Sequence, residues 1–189
     1  MNTGKLTLCV GRFLIDLPAD TQVSWGSATV QGAGEIRRTA NRTRTDFLKE
    51  LEITEEKLRL SKHETEGSML REIINPEIKD ARIFISRRSE TSTRLFKVHG
   101  YLWRDHQQFL FKKGGNNETV GKSKLEMIEA MTSLRPRDNQ TIPKEPGLCI
   151  DGAFLPGNEF RAEDAGILMK FPGYPGVSMN FVTRAGDKA

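Results

Sequence analysis

The residues able to do chemistry are few and scattered. His63, His99 and His106 stand apart, and no Cys-x-x-Cys or His-Glu-x-x-His supplies the paired spacing that holds a zinc ion. His99 and His106 are close enough in sequence to meet across a hairpin, but two lone histidines there read as surface residues. Ser24, Ser27 and Ser68 have glycines nearby, yet none occupies the Gly-x-Ser-x-Gly elbow that exposes a nucleophile. A triad assembled in space carries no such signature, so only the elbow class is excluded. The carboxylate pairs Glu55-Glu56 and Glu163-Asp164 read most simply as solvated faces. Gly32-x-Gly34 begins like a dinucleotide fingerprint, but Arg37 fills the third glycine position and no helix follows at once. No Gly-x-x-x-x-Gly-Lys-[Ser/Thr] occurs.

Charge points to no polyanion. The 189 residues carry 29 basic and 25 acidic side chains, a net +4. The basic clusters Arg37-Arg38, Arg42 with Arg44, Arg87-Arg88, Lys112-Lys113, and Arg135 with Arg137 each have acidic neighbours. No helix combines basic spacing with aromatic stacking positions, so nucleic acid is not an expected partner. Hydrophobic residues make up 37% and charged residues 29%, which suits a globular chain able to bury a core. No apolar run approaches the ~20 residues of a membrane span. Three Asn-x-Thr sequons, at Asn41, Asn117 and Asn139, matter only in a eukaryotic secreted protein and are discounted. No cofactor is implied.

The elements that must position these residues begin with Cys9–Pro18. This stretch reads as a strand with Phe13, Ile15 and Leu17 on one face, and Pro18 ends it. Gly147–Phe154 echoes it as a second short apolar strand holding the chain's other cysteine. Two cysteines fit a disulfide in an exported protein and two inert thiols in a cytosolic one. Met1–Val10 lacks the apolar core of a secretory leader. Leu6-Thr7-Leu8-Cys9 only faintly resembles a lipoprotein cleavage box, because Leu8 is large for the position before the cysteine.

Thr21–Val30 and Glu35–Thr39 read as strands. A long helix over Asn41–Glu66 follows, capped at Thr45, with Phe47, Leu48, Leu51 and Leu58 on one face. Met69–Ile74, Ala81–Ser86, Thr93–His99, Gly100–Arg104 and Gln107–Lys112 read as successive strands, the last pair joined by a tight turn at Arg104-Asp105-His106. Lys122–Leu134 is a second amphipathic helix carrying Leu125, Ile128, Met131 and Leu134. Strands at Ile167–Phe171 and Val177–Thr183 close the chain. The order predicts an α+β fold: a mainly antiparallel sheet with two amphipathic helices packed on one face.

Taken together, CVGRFLIDLP, the long helix, GYLWRD, LRPR and IPKEPGLCIDGAFLPG, in this order, resemble the immunity proteins that neutralise type VI secretion phospholipase effectors. The resemblance covers most of the chain. It implies a non-catalytic periplasmic protein that binds a cognate lipase toxin, blocking substrate access or holding its lid closed. The leader, and any lipid anchor, would then lie outside this chain. By the same comparison residues 1–145 resemble an N-terminal module. Residues 146–189 are the beginning of a second module, or C-terminal strands packed on the first. In an oxidising periplasm a Cys9–Cys149 bridge is expected.

Contact residues for such a partner are specific to each toxin. Ile53 and Leu60 fall off the apolar face of the long helix and suit either a partner surface or exposure. Tyr101, Trp103 and Arg104 could anchor an interface; for Tyr101 and Trp103 the competing reading is packing in the sheet core. Lys113 and Asn116 belong to a loop running to Gly121. The alternative function is a periplasmic ligand-binding or structural domain, which would show an apolar cavity between helices and sheet.

Overall fold

The computed structural model describes residues 4–157 and 162–186. In chain order these are β1 (Lys5–Val10), β2 (Phe13–Pro18), β3 (Gln22–Trp25), β4 (Ala28–Val30), β5 (Gly34–Thr39) and α1 (Arg44–Leu60). Next come β6 (Leu70–Ile74), β7 (Ala81–Arg87), β8 (Leu95–Arg104), β9 (Gln107–Asn116) and α2 (Val120–Ser133). The chain closes with β10 (Arg135–Pro136), β11 (Gly147–Ile150), β12 (Ala153–Pro156), β13 (Glu163–Lys170) and β14 (Ser178–Ala185). Two helices and antiparallel sheets make the fold α+β. It divides into two compact units, one of residues 32–132 and one built from the segments on either side.

In the unit of residues 32–132 the strands pair antiparallel in the order β5-β9-β8-β7-β6. The β8–β9 turn falls at Asp105 and His106, both with positive φ (48° and 58°), as a two-residue hairpin turn of the primed type requires. The predicted strands at 93–99 and 100–104 are one strand, β8, which runs through Gly100 without a break. Helix α1 is shorter than the predicted span 41–66, running from Arg44 to Leu60. Thr43, not Thr45, is the N-cap, its hydroxyl accepting the Asp46 N–H at 3.1 Å. Phe47 and Leu51 are buried against Phe84 and Tyr101, whose rings meet edge to face at 5.7 Å, with Leu48 and Leu58 packed alongside.

The helices lie on opposite faces of this sheet, not on one. Tyr101 faces α1, whereas a Cβ on its neighbour Gly100 would stand 2.7 Å from Met127 Sδ and 3.1 Å from Met131 Sδ of α2. Successive strand residues point to opposite faces, and Ile83, Phe84 and Ile85 are all buried, so both faces need a cover. The contact face of α2 also differs from the expected one. Met127 and Met131, four apart, are buried, while Leu125 is exposed. Steps of three drift around a helix, so Leu125 and Leu134 cannot share a face. Beyond α1, the buried Arg87 guanidinium meets the Glu66 carboxylate and lies 4.5 Å over the Phe96 ring. That pairing holds the Glu66 carboxyl below the usual carboxylate range.

In the other unit the expected strand Cys9–Pro18 is a hairpin. Gly11 (φ 60°) and Arg12 make the turn between β1 and β2. Phe13 and Leu14 are exposed, and Leu8 and Val10 instead meet Ile167 and Met169 in the core. The single strand predicted over Thr21–Val30 is two, β3 and β4, which pair with the same strand β13 on either side of Gly26, whose N–H bonds Gly166 O at 3.0 Å. Strand β14 pairs with β13 along its length, and β10, β12 and β11 form a small sheet.

Three outcomes follow for stability. Gly100→Val is expected to cost about 1–3 kcal/mol by overpacking against α2; Met127→Ala in the same chain should return part of that loss in a double-mutant cycle of urea unfolding. Because the folded Glu66 pKa is depressed, its contribution is complete above the unfolded value and lost as pH falls through the folded one. The stability gap between wild type and Glu66→Gln should therefore narrow as urea titrations move from neutral pH into acid. Reducing the Cys9–Cys149 disulfide, which spans 140 residues, should lower stability by roughly 2–5 kcal/mol, read as a fall in Tm with and without reductant.

Candidate partner interface

The expected interface residues differ in exposure and in their contacts. Ile53 and Leu60 are 55% and 72% exposed on α1, open to solvent as apolar side chains. Tyr101, by contrast, is only 6% exposed and belongs to the core under α1; burial pushes its phenol pKa up. Trp103 is half-buried, donates its indole N–H to Arg42 O at 2.8 Å, and meets the His106 ring edge to face at 5.8 Å. Arg104 is half-buried at the end of β8, opposite Gln107. Lys113 gives hydrogen bonds to Glu126 at 2.5 Å and to Gly32 O at 2.9 Å. The Asn116 amide oxygen accepts the N–H groups of Glu118 and Thr119 at 3.0 and 2.9 Å, closing the turn before α2. Lys113 and Asn116 thus hold elements together, because each carries a polar group that its own neighbours satisfy.

The residues considered for chemistry are equally engaged. His63 is buried, with Nε2 3.1 Å from Ser92 O. Ser68 donates to Leu58 O and Arg59 O and accepts the Leu70 N–H. Among the described residues no three His, Cys, Asp or Glu gather as metal ligands.

Three of the strings that carry the family resemblance converge around the Gly11–Arg12 turn. From the first, Gly11 exchanges backbone hydrogen bonds with Cys149 at 2.9 and 2.7 Å, beside the Cys9–Cys149 disulfide with its Cα atoms 5.7 Å apart. Arg12 makes a two-pronged pair with Glu163, both contacts 2.8 Å, and also bonds Gly157 O. From the second, Arg137 donates to the carbonyls of Cys9, Ala153 and Thr141 and lies 5.8 Å over the Trp25 ring; its burial lowers the guanidinium pKa. From the third come Cys149 and Ala153. The contacts of this arrangement are structural: Arg12 and Arg137 are spent on carbonyls and one carboxylate.

What sequence reasoning missed is a hollow at the far end of β8 and β9. It holds about 600 Å³ and is lined by Arg88, Lys97, His99, Lys112, Gly114 and Gly115, among others. Lys-x-His on one strand facing Lys-Lys-Gly-Gly on the next was its signal, legible once the two are paired as a hairpin.

Two family models match the chain: the N-terminal domain of Tle cognate immunity protein 4 over residues 6–141, and its C-terminal domain over residues 141–189. Among solved structures, the chain is similar to one in the crystal structure of a Tle4–Tli4 complex, with a TM-score of 0.88 at 26% identity over 97% of this chain. It is similar also to the apo immunity protein TplEi of the T6SS of Pseudomonas aeruginosa, with a TM-score of 0.86 at 26% identity over 97% of this chain. The same immunity protein bound to an "L" peptide shares the fold, with a TM-score of 0.74 at 23% identity over 97% of this chain. The chain spans 60%, 61% and 59% of the length of those three. No curated protein matches it. The chain belongs to the Tle cognate immunity protein 4 family.

Proposed function

We propose that this chain is the toxin-binding part of an immunity protein that holds a cognate type VI phospholipase inactive in the periplasm. One observation carries the reading: the fold follows a chain of the Tle4–Tli4 complex over 97% of its length. The protein acts without chemistry of its own, by covering the lipase's substrate entrance or keeping its lid shut. The Cys9–Cys149 disulfide suits an oxidising compartment. Residues 1–145 serve as an N-terminal module, and the C-terminal strands of 146–189 pack on it through β13, which pairs with β3 and β4. The exposed Ile53 and Leu60 on α1 supply apolar contact area to the partner.

The direct test mixes the 189-residue chain with the lipase encoded beside its gene and follows capture and lipase activity together. Stoichiometric capture with loss of activity is expected. Capture without loss of activity would assign the blocking step to parts found only in the longer relatives. No capture by a folded sample would overturn the proposal.

A further inference from the structure

The hollow at the end of β8 and β9 is built from one sign of charge. Lys97 stands opposite Gly114, and His99 directly opposite Lys112, so all three basic side chains leave the same face of the sheet. The residues of β8 that α1 covers, Tyr101 and Trp103, lie further along that face. Arg88 joins from the end of β7, its N–H bonding Leu95 O at 3.0 Å. Gly114 contributes no side chain, and a Cβ built there would meet only Phe96 O, at 3.9 Å; the floor is bare backbone.

These cations differ from five others in the same sheet. Arg37, Arg71, Arg82, Arg87 and Lys113 each lie on a carboxylate. Among the described residues, Arg88, Lys97 and Lys112 make no ion pair, and no carboxylate lines the hollow. The flanking acids are committed elsewhere: Glu35, opposite Lys112 in the β5–β9 ladder, takes Arg37 at 2.7 Å, and Glu126 takes Lys113. Like charges placed across a strand pair destabilise the sheet. The half-buried His99 feels the same field, since burial together with Lys112 and Lys97 pushes its pKa down.

We infer that this hollow docks an acidic peptide stretch of the effector, with at least two carboxylates set against Lys97, Lys112 and Arg88. The inference rests on the immunity reading and names the chemistry of one contact in it. A peptide fits better than a lone phosphate on two grounds. Lys97 and Lys112 are diagonal cross-strand neighbours, about 7–8 Å apart, so their charges suit carboxylates spaced along a chain. Two of the three cations are lysines, point charges without the bidentate fork that favours phosphate.

The test measures effector affinity for the wild-type chain, for Lys97→Gln with Lys112→Gln, and for Lys97→Glu with Lys112→Glu, at low and high salt. Circular dichroism checks each fold. The neutral pair should bind at least about tenfold more weakly at low salt, the reversed pair more weakly still, and the differences should shrink at high salt. A parallel titration follows the His99 ring protons by NMR against a short polyglutamate peptide, inorganic phosphate, and phosphatidylglycerol vesicles. The peptide alone should move them. Unchanged effector affinity in both folded variants would overturn the docking site and leave the immunity reading standing. No effector binding by the wild-type chain would overturn both. A response to phosphate or vesicles without one to the peptide would overturn the peptide assignment.

Discussion

Strand β8 must be covered on both faces, and the architecture of residues 32–132 follows from that constraint. Phe96, Val98, Gly100 and Leu102 point one way, and Tyr101 and Trp103 the other, so neither face can be left wholly to water. Helix α1 answers on one side with Phe47 and Leu51, and α2 on the other with Met127 and Met131. The two contacts differ in kind. Under α1, aromatic rings fill the space; at α2, the missing side chain of Gly100 lets two flexible thioethers reach the sheet. A helix has a fixed footprint, and β8 with ten residues outruns the cover that α1 provides. The uncovered end carries Lys97 and His99, and there the sheet presents charge where elsewhere it presents core.

The other unit depends on polar closure at a single turn. Glycine at position 11 permits a positive φ and a close approach to the Thr183 side chain, which a Cβ would overlap. Around it gather a disulfide, a pair of backbone hydrogen bonds to Cys149, the Arg12–Glu163 pair and the carbonyl contacts of Arg137. Arg12 and Glu163 are nearly buried, with 15% and 6% of their side-chain surfaces exposed. Such a pair stabilises little over an apolar replacement, but removing one partner would strand the other. The ion pair therefore specifies which segments meet more than it adds to stability, whereas the disulfide beside it stabilises directly. That accounts for why strings far apart in the chain together carry the family resemblance, although no single one resembles an active site.

A binding surface is specific to the partner that fits it, so much of a candidate interface stays illegible in sequence. Tyr101 and Trp103 sit in a string that suits an anchor, yet β-strand alternation and α1 place Tyr101 in the core and hold the Trp103 indole on a backbone carbonyl. Lys113 and Asn116 look like loop residues; one pairs with a helix carboxylate and the other closes a turn. Ile53 and Leu60 did stand out, because an apolar residue off the buried stripe of a helix needs no partner knowledge to be noticed.

By itself, the sequence determined the alternation of strands, the two helices, the Asp105-His106 hairpin turn, and the class of fold, since these rest on local periodicity and turn chemistry. It determined the family as well, through the order of its strings. Only the tertiary structure decided which face each helix covers, that Cys9 lies in a hairpin and not in a strand running to Pro18, and that Lys97, His99 and Lys112 share one hollow. The physical reason is that a period says which residues lie together on one element. Which element they then face is set by pairing register and by the space a partner leaves, and both are contacts between residues far apart in the chain.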